Sequence, residues 1–139
     1  MIFEGIVVEG NRIGRTIGFP TANIAAETPG DLPSGVFACR VWPVAEVRAS
    51  APARVSRTAG EVFCGMLNIG TRPTLSIATP PRTIEVHILD FSGDLYGSRL
   101  RIETLEKIRD ERKFPSLSAL QTQLEEDKTA VRSICRKSI

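Results

Sequence analysis

The stretch "TIEVHILDF", residues 83 to 91, decides the architecture of this chain. Ile84, Val86 and Ile88 alternate with Glu85, His87 and Leu89, so an extended segment would turn an apolar face one way and a mixed face the other. Upstream, residues 2 to 9 (IFEGIVVE), 36 to 42 (VFACRVW) and 62 to 69 (VFCGMLNI) are short, rich in β-branched and aromatic residues, and bounded by glycine or proline, as strands are. Downstream, "SGD" at 92 to 94 reads as a hairpin turn and 99 to 106 (RLRIETLE) as a further strand. The period then changes. Apolar residues at 117, 120, 124, 131, 134 and 135 follow helical spacing behind Pro115, with Ser116 or Ser118 as N-cap, which predicts a helix over 117–137. Strands followed by one helix predict a mainly β fold: a small antiparallel, Greek-key-like, six-stranded β-barrel with a C-terminal α-helix, in one domain over 1–139.

Composition restricts the function classes. The 139 residues carry 18 basic and 16 acidic side chains without long runs of either sign, and only 6% are aromatic, so neither a basic nucleic-acid surface nor a row of stacking rings is expected. Cys39, Cys64 and Cys135 are odd in number, far apart and without C-x-x-C spacing; they read as small core residues of a reducing cytosol rather than a disulfide framework or zinc site. The start, MIFEGIVVEG, has no basic n-region and too short an apolar run for a signal peptide or membrane span, so a cytoplasmic location is expected. Residues 43–61, rich in alanine, serine, arginine and proline, read as a long loop or hairpin insertion whose Arg48, Arg54 and Arg57 are solvated.

A candidate site lies at residues 14 to 23, "GRTIGFPTAN". Gly14 and Gly18 permit positive φ, and a bent glycine loop can aim successive N–H groups at an anion, with Arg12 and Arg15 adding charge. Pro20 fixes its own φ and extends Phe19, presenting Thr21 and Asn23 rigidly. Two residues apart on an extended segment, these neutral oxygen donors share a side, and Mg²⁺ suits such a site because it keeps waters and phosphate oxygens among its ligands. A tight loop between strands accounts for the same residues. G-x-x-x-x-G-K-[ST], G-x-G-x-x-G and the protein-kinase motifs are absent.

With "GIVVEGN" before it, G-R-x-x-G-F-P-T-A-N resembles the signature of the riboflavin kinase family. The resemblance continues in order through "LPSGVFAC" (32–39), "NIGTRPT" (68–74), "IEVHILDFSGDLYG" (84–97) and "IRDERKF" (108–114). It implies an ATP-dependent phosphotransferase that makes FMN and ADP from riboflavin and ATP. Thr21 and Asn23 would hold the nucleotide's magnesium, Gly14, Arg15 and Gly18 would contact its phosphates, and Glu85 would be the catalytic base. The segment with Arg109, Glu111 and Phe114 would lie near the flavin, and an aromatic face, a guanidinium plane and a carboxylate that can accept from the ring's imide N–H suit flavin binding. The implied partners are the small molecules riboflavin and ATP, without nucleic acid, membrane or an obligate protein partner.

Other readings of the same residues stay open. Glu85 also reads as an exposed polar residue on a half-buried strand, and Phe114 as a core residue at a charged helix start. His87, the single histidine, has no second ligand at metal spacing and reads as a polar rim residue. Asp90, Ser92 and Asp94 echo a calcium loop, but Gly93 falls too early and the closing glutamate is missing, so a turn is expected. Asn68 and Arg72 receive no role. Many bacterial relatives join this module to an adenylyltransferase domain; here the initiator methionine opens directly on the kinase module, and a single-function enzyme is the simpler expectation. A flavin-binding module without transfer activity and a domain cut from a bifunctional FAD synthetase are the alternatives.

Overall fold

Residues 1–8, 18–26, 32–44, 62–71, 82–91 and 95–138 are described by a computed structural model. They form β1 (Ile2–Val8), β2 (Ala22–Ala26), β3 (Gly35–Pro43), β4 (Phe63–Thr71), β5 (Arg82–Ile88) and β6 (Arg99–Arg109), followed by one long helix, α1 (Leu117–Ser138). All ladders are antiparallel, and the sheet closes on itself in the order β1-β2-β5-β4-β3-β6. Strands β3, β4 and β5 follow one another and β6 returns beside β3, which is the Greek-key arrangement. The expected barrel and terminal helix are therefore present. The "SGD" turn and residues 45–61 of the proposed insertion lie outside the described residues.

Alternation along each strand separates two cores. Inward-facing Phe37, Cys39 and Val41 of β3, Leu67 and Ile69 of β4, and Ile84, Val86 and Ile88 of β5 fill the barrel with Phe3, Ile24, Leu100 and Ile102. Each such aliphatic side chain contributes about 1.5–3 kcal/mol on burial. The outward set, Val36, Ala38, Met66 and Leu89, packs against Leu124, Val131, Ile134 and Cys135 of α1. Ser116 is the N-cap of α1: its Oγ accepts the Ala119 N–H at 3.1 Å. Arg136 and Lys137 in the last turn complement the helix dipole. No described helix is long and apolar enough to cross a membrane.

The cysteine expectation is corrected. Cys64, on the outer face of β4, is disulfide-bonded to Cys135 of α1 with Cα atoms 6.2 Å apart, and Cys39 alone is a free thiol among the described residues. The pairing spans 71 positions, and it exists because α1 crosses that face of the barrel, a tertiary fact that spacing along the chain does not encode. Cys39 keeps the expected role: it is buried without exposure, and desolvation pushes its thiol far above the usual range.

Candidate functional site

Cross-strand register assembles the site. Glu85 on β5 pairs with Asn23 on β2 on one side and with Asn68 on β4 on the other. Asn68 in turn opposes Val36 on β3, and Val36 opposes Arg109 on β6. Directly opposed residues share a face of a sheet, so this rung carries a row of side chains around the outside of the barrel, on the side covered by α1. Thr21, just before β2, donates its hydroxyl to Glu85 Oε1 at 3.5 Å, the outer limit of a hydrogen bond. Thr21 and Glu85, 64 residues apart in sequence, thus meet, with Asn23 opposite Glu85 in register.

Pro20 and His87 hold that meeting in place. His87 Nδ1 lies 2.8 Å from the Pro20 carbonyl oxygen, and because a carbonyl can only accept, Nδ1 carries the proton. The Phe19 ring, 3% exposed, meets the imidazole edge-on at 5.2 Å between centroids. Burial holds the His87 pKa below its usual 6.5; the Pro20 bond opposes this, and Lys128 and Arg132 of α1 add to the lowering. His87 is thus a buried neutral donor that fixes the backbone preceding Thr21, rather than the rim residue expected. Gly18 has φ +85°, the left-handed backbone that favours glycine. Gly14 and Arg15 lie outside the described residues.

A cavity of about 300 Å³ opens between this row and α1, lined by Phe19, Thr21, Val36, Met66, Asn68, Glu85, His87, Arg109, Glu111, Arg112, Phe114, Leu120 and Leu124. Its size falls at the lower end of small-ligand pockets, and its mix of apolar walls with a few convergent polar groups is typical of them. Asn23 is on the rung but is not a lining residue. The three residues expected near a flavin all line the cavity. Arg109 is also tied to the fold, since its Nε and Nη2 bind the Asp127 carboxylate at 3.0 and 2.9 Å. Asp127 is 1% exposed and also accepts from Gln123 at 3.0 Å. Phe114 lies beneath two guanidinium groups, Arg109 at 5.5 Å and Arg112 at 4.9 Å from its centroid. Glu111 rests against Gly70, where any Cβ would collide with its carboxylate.

Sequence reasoning missed Asp127, although an acid between Leu124 and Val131 interrupts the apolar stripe of α1 and is the signal that could have found it. It also gave Asn68 no role. Among the described residues, Asn68 Oδ1 is a buried side-chain acceptor without a hydrogen-bond partner, a condition that costs free energy unless something else supplies the donor. Asp90 is at a turn with φ 59° and pairs both carboxylate oxygens with Arg132 at 2.9 Å, whereas Ser92 and Asp94 lie outside the described residues.

The donor set fits a hard divalent cation. Thr21, Asn23 and Glu85 offer only oxygen, and no cluster of three or more histidine, cysteine or acidic side chains occurs among the described residues, so phosphate oxygens and waters would have to complete the shell, as Mg²⁺ prefers.

Fold and site define a small Greek-key barrel module with an acid, neutral oxygen donors and an aromatic, arginine-lined cavity for a small molecule. The chain belongs to the riboflavin kinase family, whose flavokinase model matches residues 1–135. It is 40% identical over 88% of its length to the bifunctional riboflavin kinase/FMN adenylyltransferase of Haemophilus influenzae, covering 35% of that protein. The chain therefore spans about a third of the length of such curated bifunctional relatives. A crystal structure described as a macrolide-efflux protein from Streptococcus pneumoniae superposes with TM-score 0.76 and 31% identity, over 94% of this chain and 38% of that one. Riboflavin kinase from Trypanosoma brucei shares the fold, with TM-score 0.62 and 24% identity over 98% of this chain and 80% of that one.

Proposed function

We propose that the chain transfers the γ-phosphate of ATP to the terminal hydroxyl of riboflavin's ribityl chain, giving FMN and ADP. The observation that carries the reading is the convergence of Thr21 and Asn23 with Glu85 beside a cavity of small-molecule size, in a chain of this family. Phosphoryl transfer asks chiefly for positioning and charge neutralisation, plus one group to orient the attacking hydroxyl and take its proton. Glu85 is assigned that role. The hydroxyl oxygen forms the new bond to the γ-phosphorus, its proton passes to the carboxylate, and the bond from that phosphorus to the β,γ-bridging oxygen breaks to release ADP. Thr21 and Asn23 are assigned to Mg²⁺, which when bound would neutralise charge on the phosphate oxygens. Gly14, Arg15 and Gly18 are assigned to the triphosphate.

Arg109, Glu111 and Phe114 are assigned to the flavin. Asp127 supports this by holding the Arg109 guanidinium in one orientation before any ligand arrives. His87 supports the metal assignment by fixing the carbonyl next to Thr21. A cytoplasmic setting belongs to the same proposal and has its own check: in a reducing compartment Cys64 and Cys135 titrate as two thiols in freshly lysed cells, whereas an oxidising one leaves them joined.

The deciding measurement is FMN formation from riboflavin and Mg-ATP by the wild type and by Glu85→Gln. Rapid turnover by the wild type and its near loss in the variant are expected. Tight flavin binding with no turnover by the wild type would instead describe a binding module.

A further inference from the structure

We infer that Asn68 reads the internal hydroxyl groups of the substrate's polyol chain, and so determines which flavins present their terminal hydroxyl to Glu85. The inference rests on the proposed flavin reading and names a residue to which that reading gives no role. Three observations on β4 and β5 carry it. Asn68 is Glu85's register partner, and opposed side chains on one face of an antiparallel pair stand about 5 Å apart at Cβ. Both line the same cavity. Finally, Asn68 Oδ1 is shielded from solvent without a donor among the described residues, so a ligand hydroxyl meets this amide at Nδ2 or once the amide turns over.

A buried amide oxygen that the protein itself does not satisfy is a binding contact held in reserve, because the ligand that brings the donor removes the desolvation penalty. A hydroxyl can donate to Oδ1 or accept from Nδ2, so either orientation of the amide can bind it. The position within the row selects the class of donor. If Glu85 takes the terminal hydroxyl, a group one strand away faces hydroxyls farther along the same chain, and a ribityl side chain carries one on each of its inner carbons. An alkyl chain ending in a single hydroxyl carries none. Discrimination then follows from the asymmetry of buried polar sites: a site built to bond a hydroxyl rejects the analogue lacking it far more strongly than an apolar wall rejects an extra group.

The test compares riboflavin with a flavin bearing a 5-hydroxypentyl chain at N10, against the wild type, Asn68→Leu and Asn68→Ser. Affinity is read by quenching of flavin fluorescence and turnover by phosphorylated product. Wild-type protein is expected to bind riboflavin about tenfold or more tightly than the analogue, the size of one buried hydrogen bond. In Asn68→Leu the two affinities converge because riboflavin weakens while the analogue is unchanged, and Asn68→Ser, which keeps a hydroxyl, recovers part of the difference. Without ligand, Asn68→Leu should melt no lower than the wild type, since it removes the orphaned acceptor. Equal weakening of both flavins, no change in either, or a wild type that does not discriminate overturns the inference; should Asn68→Leu fail to fold, Asn68→Ser and the wild-type ratio still decide it. Product formation separates this from the phosphotransferase reading: selective binding with no transfer by the wild type sinks the reaction and leaves Asn68 in its role.

Discussion

The inside of the barrel and the seam between its outer wall and α1 are built from alternate residues of the same strands, yet they differ in nearly every physical respect. Inside, Ile84, Val86 and Ile88 of β5 join an apolar core, and a pocket at its edge lined by Val41, Phe63 and Phe91 among others holds about 10 Å³. That is room for roughly one water. Across the wall, Glu85 and His87 of the same strand face a cavity of about 300 Å³ that also receives Asn68, Arg109 and Glu111. One face is packed for stability, and the other keeps polar groups, several of them already tied to the fold, around open space. The difference teaches that in a closed barrel a single residue's shift along a strand separates folding from chemistry.

The sharpest way to break that division is Glu85→Gln, which should lower FMN formation by about 10²–10⁴-fold, the usual contribution of a general base, while the melting temperature stays near the wild type's. Similar rates for the two proteins would remove the assigned base. The opposite experiment is Leu67→Ala, at a position with no exposure. A loss of about 2–5 kcal/mol of stability is expected, read by denaturant unfolding, with turnover per folded molecule retained. Asp127→Ala acts on both sides of the division: it leaves Arg109 without its carboxylate and loosens α1. We expect about 2–3 kcal/mol of destabilisation, below the full penalty for a broken buried pair because Arg109 keeps some solvent contact, together with a raised KM for riboflavin. Unchanged KM would separate Arg109 from the flavin. Gly70→Ala drives a methyl against Glu111 and Thr83; a KM increase of about three- to tenfold, the value of one displaced polar contact, is expected from steady-state kinetics.

The smallest effect is the pH dependence of the seam. The His87 pKa is lowered in the folded protein, so as pH falls below about 6.5 the unfolded chain takes up the proton first. Stability contributed by the neutral imidazole is therefore present above that value and declines toward acid. Melting curves between pH 5 and 8 should show this slope in the wild type and a flatter one in His87→Gln. Identical slopes would assign the acid sensitivity elsewhere.

Much of the fold was legible because alternation is a local property. β5 announces itself through Ile84, Val86 and Ile88, and α1 through the stripe from Leu117 to Cys135, which placed the helix over 117–137, within a residue of the observed end at Ser138. β2 was less visible: Ala22–Ala26 is five residues and alanine-rich, two positions after Pro20, so it has little propensity of its own and becomes a strand through pairing with β1 and β5. The site separates in the same way. Residue types suggested Thr21 and Asn23, and the family resemblance suggested Glu85, but their meeting depends on a register between β2 and β5 that no neighbouring residues encode. The Cys64–Cys135 bond and the Arg109–Asp127 pair are contacts between α1 and the barrel, and the orphaned oxygen of Asn68 exists only once the wall around it has formed.

The ladder between β2 and β5 has two register pairs, Ala22↔Val86 and Asn23↔Glu85, whereas β4 and β5 share seven. Among the described residues, Thr21, Asn23 and Glu85 thus straddle the ladder with the fewest register pairs. Any ligand that bridged Thr21, Asn23 and Glu85 would also be a rivet across that join, so its occupancy and barrel integrity would be tied by mass action. Heat or denaturant applied to the empty protein would open the wall there first, and the loaded protein would have to release its cargo before it could unzip.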